Sequence, residues 1–271
     1  MKKLLFSCLA TLFAITSFAQ IFSNCDNTKN PFDFIGKEHN EALDYIIQHN
    51  PNITREYYNE NWISLVNQYM SSKGYDTKPF IEAHRSPAII KACSAQTFYE
   101  KIQPMDEARK FLDNKQLSQL RYSKLQELYS VVGNVDNLLL SFRGDANETF
   151  GKIKQDILNL ENSYSNLSTD DANFCYIASS VLRHSTFYWL NEGSKPHSDW
   201  GVPKCNAGGL SVTFSWGSVL AADAGGAVAG AVRTGILGLA GGPISWTAAG
   251  IAAAATGIGS SCGNIIYQLF H

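Results

Sequence analysis

Residues 218–270 read SVLAADAGGAVAGAVRTGILGLAGGPISWTAAGIAAAATGIGSSCGNIIYQLF. Eleven of the chain's 21 glycines lie in this stretch, which we call the tail, and its only charged residues are Asp223 and Arg233. Small residues recur at every fourth position, which places them on one helix face and lets two backbones approach closely. Because a glycine inside a soluble helix costs roughly 1 kcal/mol relative to alanine, the composition predicts helices that pack through these glycine-rich faces.

A central break divides the tail into two arms of similar length. It is Gly241-Gly242-Pro243, where glycine ends one helix and proline fits the first turn of the next. The tail is therefore predicted to be a helical hairpin. Its predicted packing faces consist of small residues, namely Ala222, Gly226, Gly230, Gly238, Gly242, Ala249, Ala253, Gly257, Gly259 and Gly263.

The first 19 residues have the pattern of a signal peptide. Lys2 and Lys3 precede a short apolar run, and Ser17-Phe18-Ala19 forms a small-x-small cleavage site before Gln20. The protein is therefore expected to be exported, to the periplasm, the outer membrane or the extracellular space.

Between the signal peptide and the tail, the chain has the pattern of consecutive helices with almost no strand-like alternation. The predicted fold class is all-α, a multi-helix bundle followed by the C-terminal hairpin. The predicted divisions are a signal peptide at 1–19, a helical bundle domain at 20–200, a linker at 201–217 and the hairpin at 218–271.

Several helix boundaries can be predicted within the bundle. Helices are expected at Lys37 to Gln48 and from Leu117-Ser118 onward, and a long helical segment after Asn134 has weak points at Gly144 and Gly151. Ser168, followed three residues later by Asp171, is expected to cap another helix. Aromatic side chains at helical spacing are interpreted as core residues, namely Tyr45, Tyr57, Tyr58, Trp62, Tyr69, Phe98, Tyr99, Phe187, Tyr188 and Trp189.

Five cysteines would remain after cleavage, namely Cys25, Cys93, Cys175, Cys205 and Cys262. An exported location permits disulfides, and an odd number leaves at least one thiol without an intramolecular partner. Cys205 and Cys262 flank the predicted hairpin and are the candidate disulfide, which would join the open ends of the arms. Cys175 lies within a helical apolar pattern and is expected to be a buried free thiol.

Two polar clusters are candidate functional sites. In Arg183-His184-Ser185, adjacent helical side chains point about 100° apart, so His184 and Ser185 cannot face each other, and the cluster is interpreted as a polar helix face. Glu38-His39 with Glu41 and Asp44 lacks a good ligand spacing and is interpreted as solvated charge. No catalytic, cofactor or metal residues are predicted, and the protein is expected not to be an enzyme.

The composition of the chain limits the classes of binding partner. The formal net charge is −2 and no basic cluster stands out, which disfavours nucleic acid. The tail favours membrane lipid or an envelope protein as partner, and a homo-oligomer formed through the hairpin is a further option. The competing interpretation is a hairpin packed inside a soluble fold, since Asp223 and Arg233 would each cost about 2.5–3.5 kcal/mol at a bilayer centre. Trp216, Trp246, Tyr267 and Phe270 lie near the ends of the arms, where interfacial aromatics occur.

The four-residue glycine rows resemble the glycine-zipper segments of bacterial envelope proteins and class II bacteriocins. The layout of a helical body followed by an Ala/Gly-rich hairpin is similar to the pore-forming domain of colicins, although the chain has no recognisable receptor or translocation domain. The signal sequence resembles those of exported Bacteroidota proteins. These resemblances imply a membrane-associated, membrane-active protein that acts through its hairpin. The alternative is a non-enzymatic structural or interaction protein of the cell envelope.

Overall fold

The computed structural model describes residues 25–50, 55–78, 81, 104–115, 117–195, 197–201, 215–223, 225–227 and 250–258, apart from the side chains of 55–56, 58–60 and 104–107. The regular structure within these residues is helical and contains no strand. The prediction of an all-α, multi-helix fold is confirmed. The predicted signal peptide lies outside the described residues.

Seven helices have defined bounds: α1 Asp33–His49, α2 Arg55–Ser72, α3 Pro104–Asp113, α4 Gln119–Val132, α5 Val135–Ser141, α6 Ala146–Tyr164 and α7 Thr169–Ser194. Residues 216–223, which begin two residues before the tail, and residues 225–227 and 250–258 of the tail are also helical. We call 216–223 with 225–227 the first tail segment, and 250–258 the second tail segment.

Polar side chains and one glycine account for several helix ends. Ser118 accepts a hydrogen bond from the Arg121 amide at 3.2 Å, and Ser168 accepts one from the Asp171 amide at 3.3 Å, so both predicted starts are confirmed. The predicted break at Gly144 is also confirmed, because this glycine has a φ of +81° between α5 and α6. The predicted weak point at Gly151 was wrong, since Gly151 lies inside α6.

Helix α7 forms the centre of the bundle. It is 26 residues long and packs most extensively against α1 and α6, and also against α4. Buried residues occur on all sides of its middle part, from Phe174 to Leu190, as expected for a helix surrounded by others. Of the predicted core aromatics, Trp62, Tyr69, Phe187, Tyr188 and Trp189 are buried, but the prediction was wrong for Tyr57, which is 44% exposed. Cys175 is buried and free, as predicted.

Helices α1 and α7 approach closely at Gly36. A Cβ atom at this position would lie 2.5 Å from the Ser180 carbonyl oxygen, and the Gly36 amide donates to Ser180 Oγ at 3.0 Å. Helix α1 therefore begins at Asp33, four residues before the predicted start at Lys37. Contact with α7 explains the added turn. Gly36 has no side chain, so the backbones of α1 and α7 can touch at this position.

The described tail residues pack into the bundle. Ala253, Ala254 and Ala255 are completely buried. A Cβ atom at Gly250 would lie 2.6 Å from Ile35 Cδ1 of α1, and one at Gly257 would lie 3.2 Å from the Asp223 carbonyl oxygen. The second tail segment therefore lies against α1 and beside the first tail segment.

The first tail segment is held at its start by a carboxylate of α5. Asp136 accepts hydrogen bonds from the Trp216 amide at 2.9 Å and the Gly217 amide at 3.2 Å, and from Ser215 Oγ at 2.7 Å. A carboxylate at a helix N-terminus satisfies free amides and interacts favourably with the helix dipole. Trp216, grouped in the sequence with interfacial aromatics, is completely buried.

Four of the predicted packing residues fall in the described part of the tail, and all four are buried: Ala222, Gly226, Ala253 and Gly257. The others lie outside the described residues, as does the candidate disulfide: Gly230, Gly238, Gly242, Ala249, Gly259, Gly263, Cys205 and Cys262. The hairpin turn, the disulfide and the division into domains stay predictions.

Candidate functional site

The polar stretch in the middle of α7 is buried and serves two separate clusters. Arg183 and Ser185 are completely buried, and His184 is 3% exposed. Arg183 and His184 point toward α1 and the residues before it, whereas Ser185 points toward the tail. The prediction that His184 and Ser185 do not face each other fits this arrangement, because each contacts a different carboxylate.

The first cluster, which we call the arginine cluster, consists of Arg183, Asp33 and Glu161. Arg183 Nη2 lies 2.5 Å from Asp33 Oδ1 and 3.3 Å from Glu161 Oε1. Its Nη1 donates to the carbonyl oxygen of Cys25. A buried guanidinium is costly unless it is paired, and here two carboxylates on α1 and α6 neutralise it.

The arginine cluster also anchors the residues that precede α1. Glu161 accepts hydrogen bonds from Asn27 Nδ2 at 2.6 Å, Asn30 Nδ2 at 2.7 Å and Ser179 Oγ at 2.8 Å. Its carboxylate is therefore shared by α6, α7 and the segment 25–32. This anchoring holds Cys25 at a fixed place beside α7.

A thiol, an imidazole and a carboxylate form a line at this place. Cys25 Sγ lies 3.3 Å from His184 Nδ1, and His184 Nε2 lies 3.1 Å from Asp33 Oδ1. Because the carboxylate can only accept, Nε2 carries the proton and Nδ1 is left to accept from the thiol. Asp33 thus orients the imidazole ring of His184 toward Cys25.

Burial and charge set the ionisation of these groups. Burial raises the pKa of Cys25 to about 12, although Arg183 opposes this. Burial also lowers the pKa of His184, against the hydrogen bond from its ring to Asp33. Burial acts to raise the pKa of Asp33, but His184 and Arg183 outweigh it and lower that pKa from 3.8 to about 2. At neutral pH the thiol and the imidazole are therefore uncharged, and Asp33 is ionised.

An open cleft of about 660 Å³ borders Cys25 and His184, between the residues before α1, helix α1 and the second half of α7. Its charged lining comprises the acids Asp26, Glu41, Asp44 and Glu192 and the bases Lys37 and Lys195. The volume falls in the range of about 300–1,000 Å³ that is typical of small-molecule sites. Acids outnumber bases in the lining, which favours a positively charged ligand.

A relay of aromatic side chains fixes one of these acids. Trp200 Nε1 donates to the Tyr188 hydroxyl at 2.8 Å, and that hydroxyl donates to Asp44 Oδ1 at 2.9 Å. Trp200 and Tyr188 are buried, whereas Asp44 is exposed. The protein atoms around the Asp44 carboxylate partly shield it from water, which raises its pKa, while the hydrogen bond from Tyr188 acts to lower that pKa. The relay holds one carboxylate in a defined position at the cleft.

The second cluster, which we call the tail cluster, surrounds Asp223. His39 Nε2 lies 3.1 Å from Asp223 Oδ1, and Trp189 Nε1 donates to Asp223 Oδ2 at 2.7 Å. Ser185 Oγ donates to the same oxygen. The interpretation of His39 as part of a solvated face was wrong, because His39 is completely buried and faces the tail.

One group of side chains has the geometry of a metal-ligand set. Single ligand atoms of Asp26, Asp33 and His184 lie within 4.8 Å of one another. The Lys37 ammonium, however, lies 3.0 Å from Asp26 and 3.8 Å from Asp33, and Arg183 also pairs with Asp33. The protein's own cations therefore already neutralise these carboxylates, which disfavours an additional cation.

Part of this arrangement is visible in the sequence and the rest is not. Arg183, His184, His39 and Asp223 stand out there as polar or charged residues, without identified partners. Cys25 and Asp33 were not proposed as site residues, since they lie more than 150 residues before His184 and no local spacing links them. One sequence feature indicates that such partners exist. The polar triplet Arg183-His184-Ser185 lies within an apolar helical pattern, and polar side chains buried in such a helix need hydrogen-bond partners elsewhere in the chain.

Comparison with known protein families, with curated proteins and with solved structures finds no match for this chain. Among the described helices, none combines the length and the apolar character needed to cross a membrane.

Proposed function

We propose that this chain is an exported interaction protein of the cell envelope that binds a positively charged partner segment in the cleft beside α1 and α7. The observation that carries the proposal is the Trp200–Tyr188–Asp44 relay, which holds a carboxylate at the wall of the cleft. A carboxylate whose position is fixed in advance loses little conformational freedom on binding. An ammonium group, such as a lysine side chain of the partner, matches its charge.

The other acids of the cleft support a cationic ligand less directly. Glu192 is buried and bonded to Lys195, and Asp26 pairs with Lys37 at 3.0 Å. Glu41 pairs with Lys73. Asp44 is instead bonded by a neutral hydroxyl, so its charge is available to an incoming cation.

Within this proposal the tail is a structural part of the bundle. Trp216, Asp223 and Ala253 are completely buried, and Asp223 receives hydrogen bonds from α7 and a contact from α1. If the tail left the bundle, His39, Ser185 and Trp189 would lose their common partner. Leaving buried polar groups unpaired costs about 1–3 kcal/mol for each group.

The test is isothermal titration calorimetry of the purified protein with the peptide glycyl-lysyl-glycine, capped by N-terminal acetylation and C-terminal amidation so that the lysine carries the only charge, and with its side-chain-acetylated form. Acetylation removes the charge, and we expect it to weaken binding roughly tenfold or more. Asp44→Asn is expected to cause a similar loss, whereas Asp76→Asn, at an exposed acid after α2, should have no effect. Equal affinity for the two peptides would refute the proposal.

A second candidate is a membrane-active protein whose tail leaves the bundle to act on lipid or to form a homo-oligomer. The favouring observation is that two of the tail's attachments, at Asp136 and Asp223, are hydrogen bonds to single carboxylates, which substitution can remove. It predicts flotation of the protein with lipid vesicles and leakage of their contents. It also predicts that Asp136→Ala and Asp223→Ala together increase both signals. Absence of flotation and leakage in all variants would rule out this candidate.

A further inference from the structure

Three features of the structure place reactive chemistry at the floor of the cleft. Cys25 Sγ lies 3.3 Å from His184 Nδ1, and His184 Nε2 lies 3.1 Å from Asp33 Oδ1. Both Cys25 and His184 line the open cleft. A nucleophile, a base within hydrogen-bond reach and a third group that orients the base are the arrangement found in covalent catalysis.

We propose that Cys25, His184 and Asp33 form a nucleophilic thiol site that accepts an acyl group from an ester or amide bound in the cleft. This goes beyond the proposed interaction function and does not depend on it. Binding of a cation at Asp44 and acylation at Cys25 involve different side chains, so either proposal can fail alone.

The first half of the reaction follows from the tautomer of His184 that its contact with Asp33 favours. The sulfur of Cys25 bonds to the acyl carbonyl carbon while its proton moves to His184 Nδ1. Asp33 stabilises the imidazolium that forms, through the hydrogen bond to Nε2. The tetrahedral intermediate then breaks the bond to the alcohol or amine, which leaves with the proton from Nδ1. The acyl group remains on Cys25 as a thioester.

The second half regenerates the thiol. Water adds to the thioester carbonyl carbon and gives its proton to His184 Nδ1, and the carbon–sulfur bond breaks. The carboxylic acid is released, and the proton on Nδ1 returns to the sulfur. No oxidant, metal or cofactor is required at any step.

The resting site holds a neutral thiol and a neutral imidazole. Burial keeps the pKa of Cys25 near 12 and lowers the pKa of His184. Arg183 lies alongside, with Nη1 3.4 Å from His184 Nε2, and Asp33 is the carboxylate that faces the ring. His184 therefore acts as a general base during attack, and no thiolate–imidazolium pair exists beforehand.

Cys175 provides a matched internal control. It is also buried and free, and burial raises its pKa to about 12 as well. The charged groups that act on it are Asp171, Arg121, Lys124 and Glu127, with no imidazole among them. The two thiols therefore differ in the presence of a base and in access to the cleft, which Cys25 borders.

The experiment treats the purified protein with p-nitrophenyl acetate and follows p-nitrophenol release, with acetylation of each cysteine assigned by peptide mass spectrometry. We expect acetylation of Cys25 at least about 10²-fold faster than that of Cys175, and the His184→Gln variant separates the contribution of the base from that of access to the cleft. His184→Gln should remove most of this difference. It should also abolish the plateau that the wild-type rate reaches above the pKa of His184.

Two results would overturn the inference. One is equal acetylation of Cys25 and Cys175 in the wild-type protein, a comparison that requires no variant to fold. The other is a folded His184→Gln variant, verified by circular dichroism, that acetylates Cys25 as fast as the wild type. Binding of the lysine peptide is measured separately, so loss of acylation leaves the interaction proposal intact.

Discussion

The imidazole Nε2 of His39 lies 3.1 Å from Asp223 Oδ1, and both side chains are completely buried. This contact joins α1 to the first tail segment across 184 residues of sequence. Because Ser185 and Trp189 of α7 also donate to Asp223, one carboxylate of the tail connects two helices of the bundle. The link gives the glycine-rich tail a defined position.

Asp223→Ala is expected to destabilise the protein by about 3–5 kcal/mol, because it leaves His39, Ser185 and Trp189 buried without their acceptor. Chemical denaturation monitored by circular dichroism measures the change. Asp199→Ala is the control, since the side chain of Asp199 is 67% exposed, and it should change stability by less than about 0.5 kcal/mol. A loss below about 1 kcal/mol for Asp223→Ala would contradict the described docking of the tail.

Gly36→Ala and Gly151→Ala should have opposite effects, although both glycines lie in helices. A Cβ at Gly36 would meet the Ser180 carbonyl oxygen at 2.5 Å, so we expect a loss of about 1–3 kcal/mol from overpacking. At Gly151 a Cβ meets nothing within 4 Å, and the substitution should stabilise α6 by about 0.5–1 kcal/mol. Thermal unfolding of the two variants tests the pair, and a Gly36→Ala variant at least as stable as the wild type would show that α1 and α7 are not this close.

Asp136→Ala is expected to loosen the start of the first tail segment. It removes the acceptor for the Trp216 and Gly217 amides, at a cost of about 0.5–2 kcal/mol. Hydrogen–deuterium exchange should accelerate at residues 216–223 and stay unchanged in α6. Asp113→Ala, at an exposed carboxylate that bonds Arg109 in α3, serves as the control. Unchanged exchange in the tail would mean that Asp136 does not hold it.

Acid should destabilise the fold through Asp33 and His184. The pKa of Asp33 is lowered to about 2 in the folded protein, so its contribution is complete above pH 4 and is lost as the pH falls toward 2. The pKa of His184 is lowered from 6.5, so the unfolded chain takes up this proton first and stability begins to fall below pH 6.5.

Urea unfolding between pH 7.5 and 3 measures this dependence, which the groups facing His184, namely Cys25, Asp33 and Arg183, together determine. In His184→Gln the free energy of unfolding should stay constant just below pH 6.5, where that of the wild type begins to fall. The control is His197→Gln, at an exposed histidine, which should show the same pH dependence as the wild type. An unchanged decline in His184→Gln would assign it to other groups.

Local sequence was sufficient for the helical class and for several helix ends. Ser118 and Ser168 cap helices because a hydroxyl accepts from an amide three residues away, and Gly144 ends a helical run because it takes a positive φ at low cost. Such interactions span one turn, so they are visible in any short stretch of the chain. The core positions of Trp62, Tyr69 and Trp189 followed from the same helical period, whereas Tyr57 is exposed.

Only the tertiary structure decided which polar residues meet. Asp33 pairs with Arg183 across 150 residues, and Asp223 reaches His39 across 184. Nothing in local spacing encodes such distances, since they depend on how α1, α7 and the tail pack together. The sequence showed charges and histidines within apolar helices, which cannot be buried without partners. Packing supplied those partners, because the close approach of α1 at Gly36 and of the tail at Gly250 and Gly257 brings their side chains onto α7.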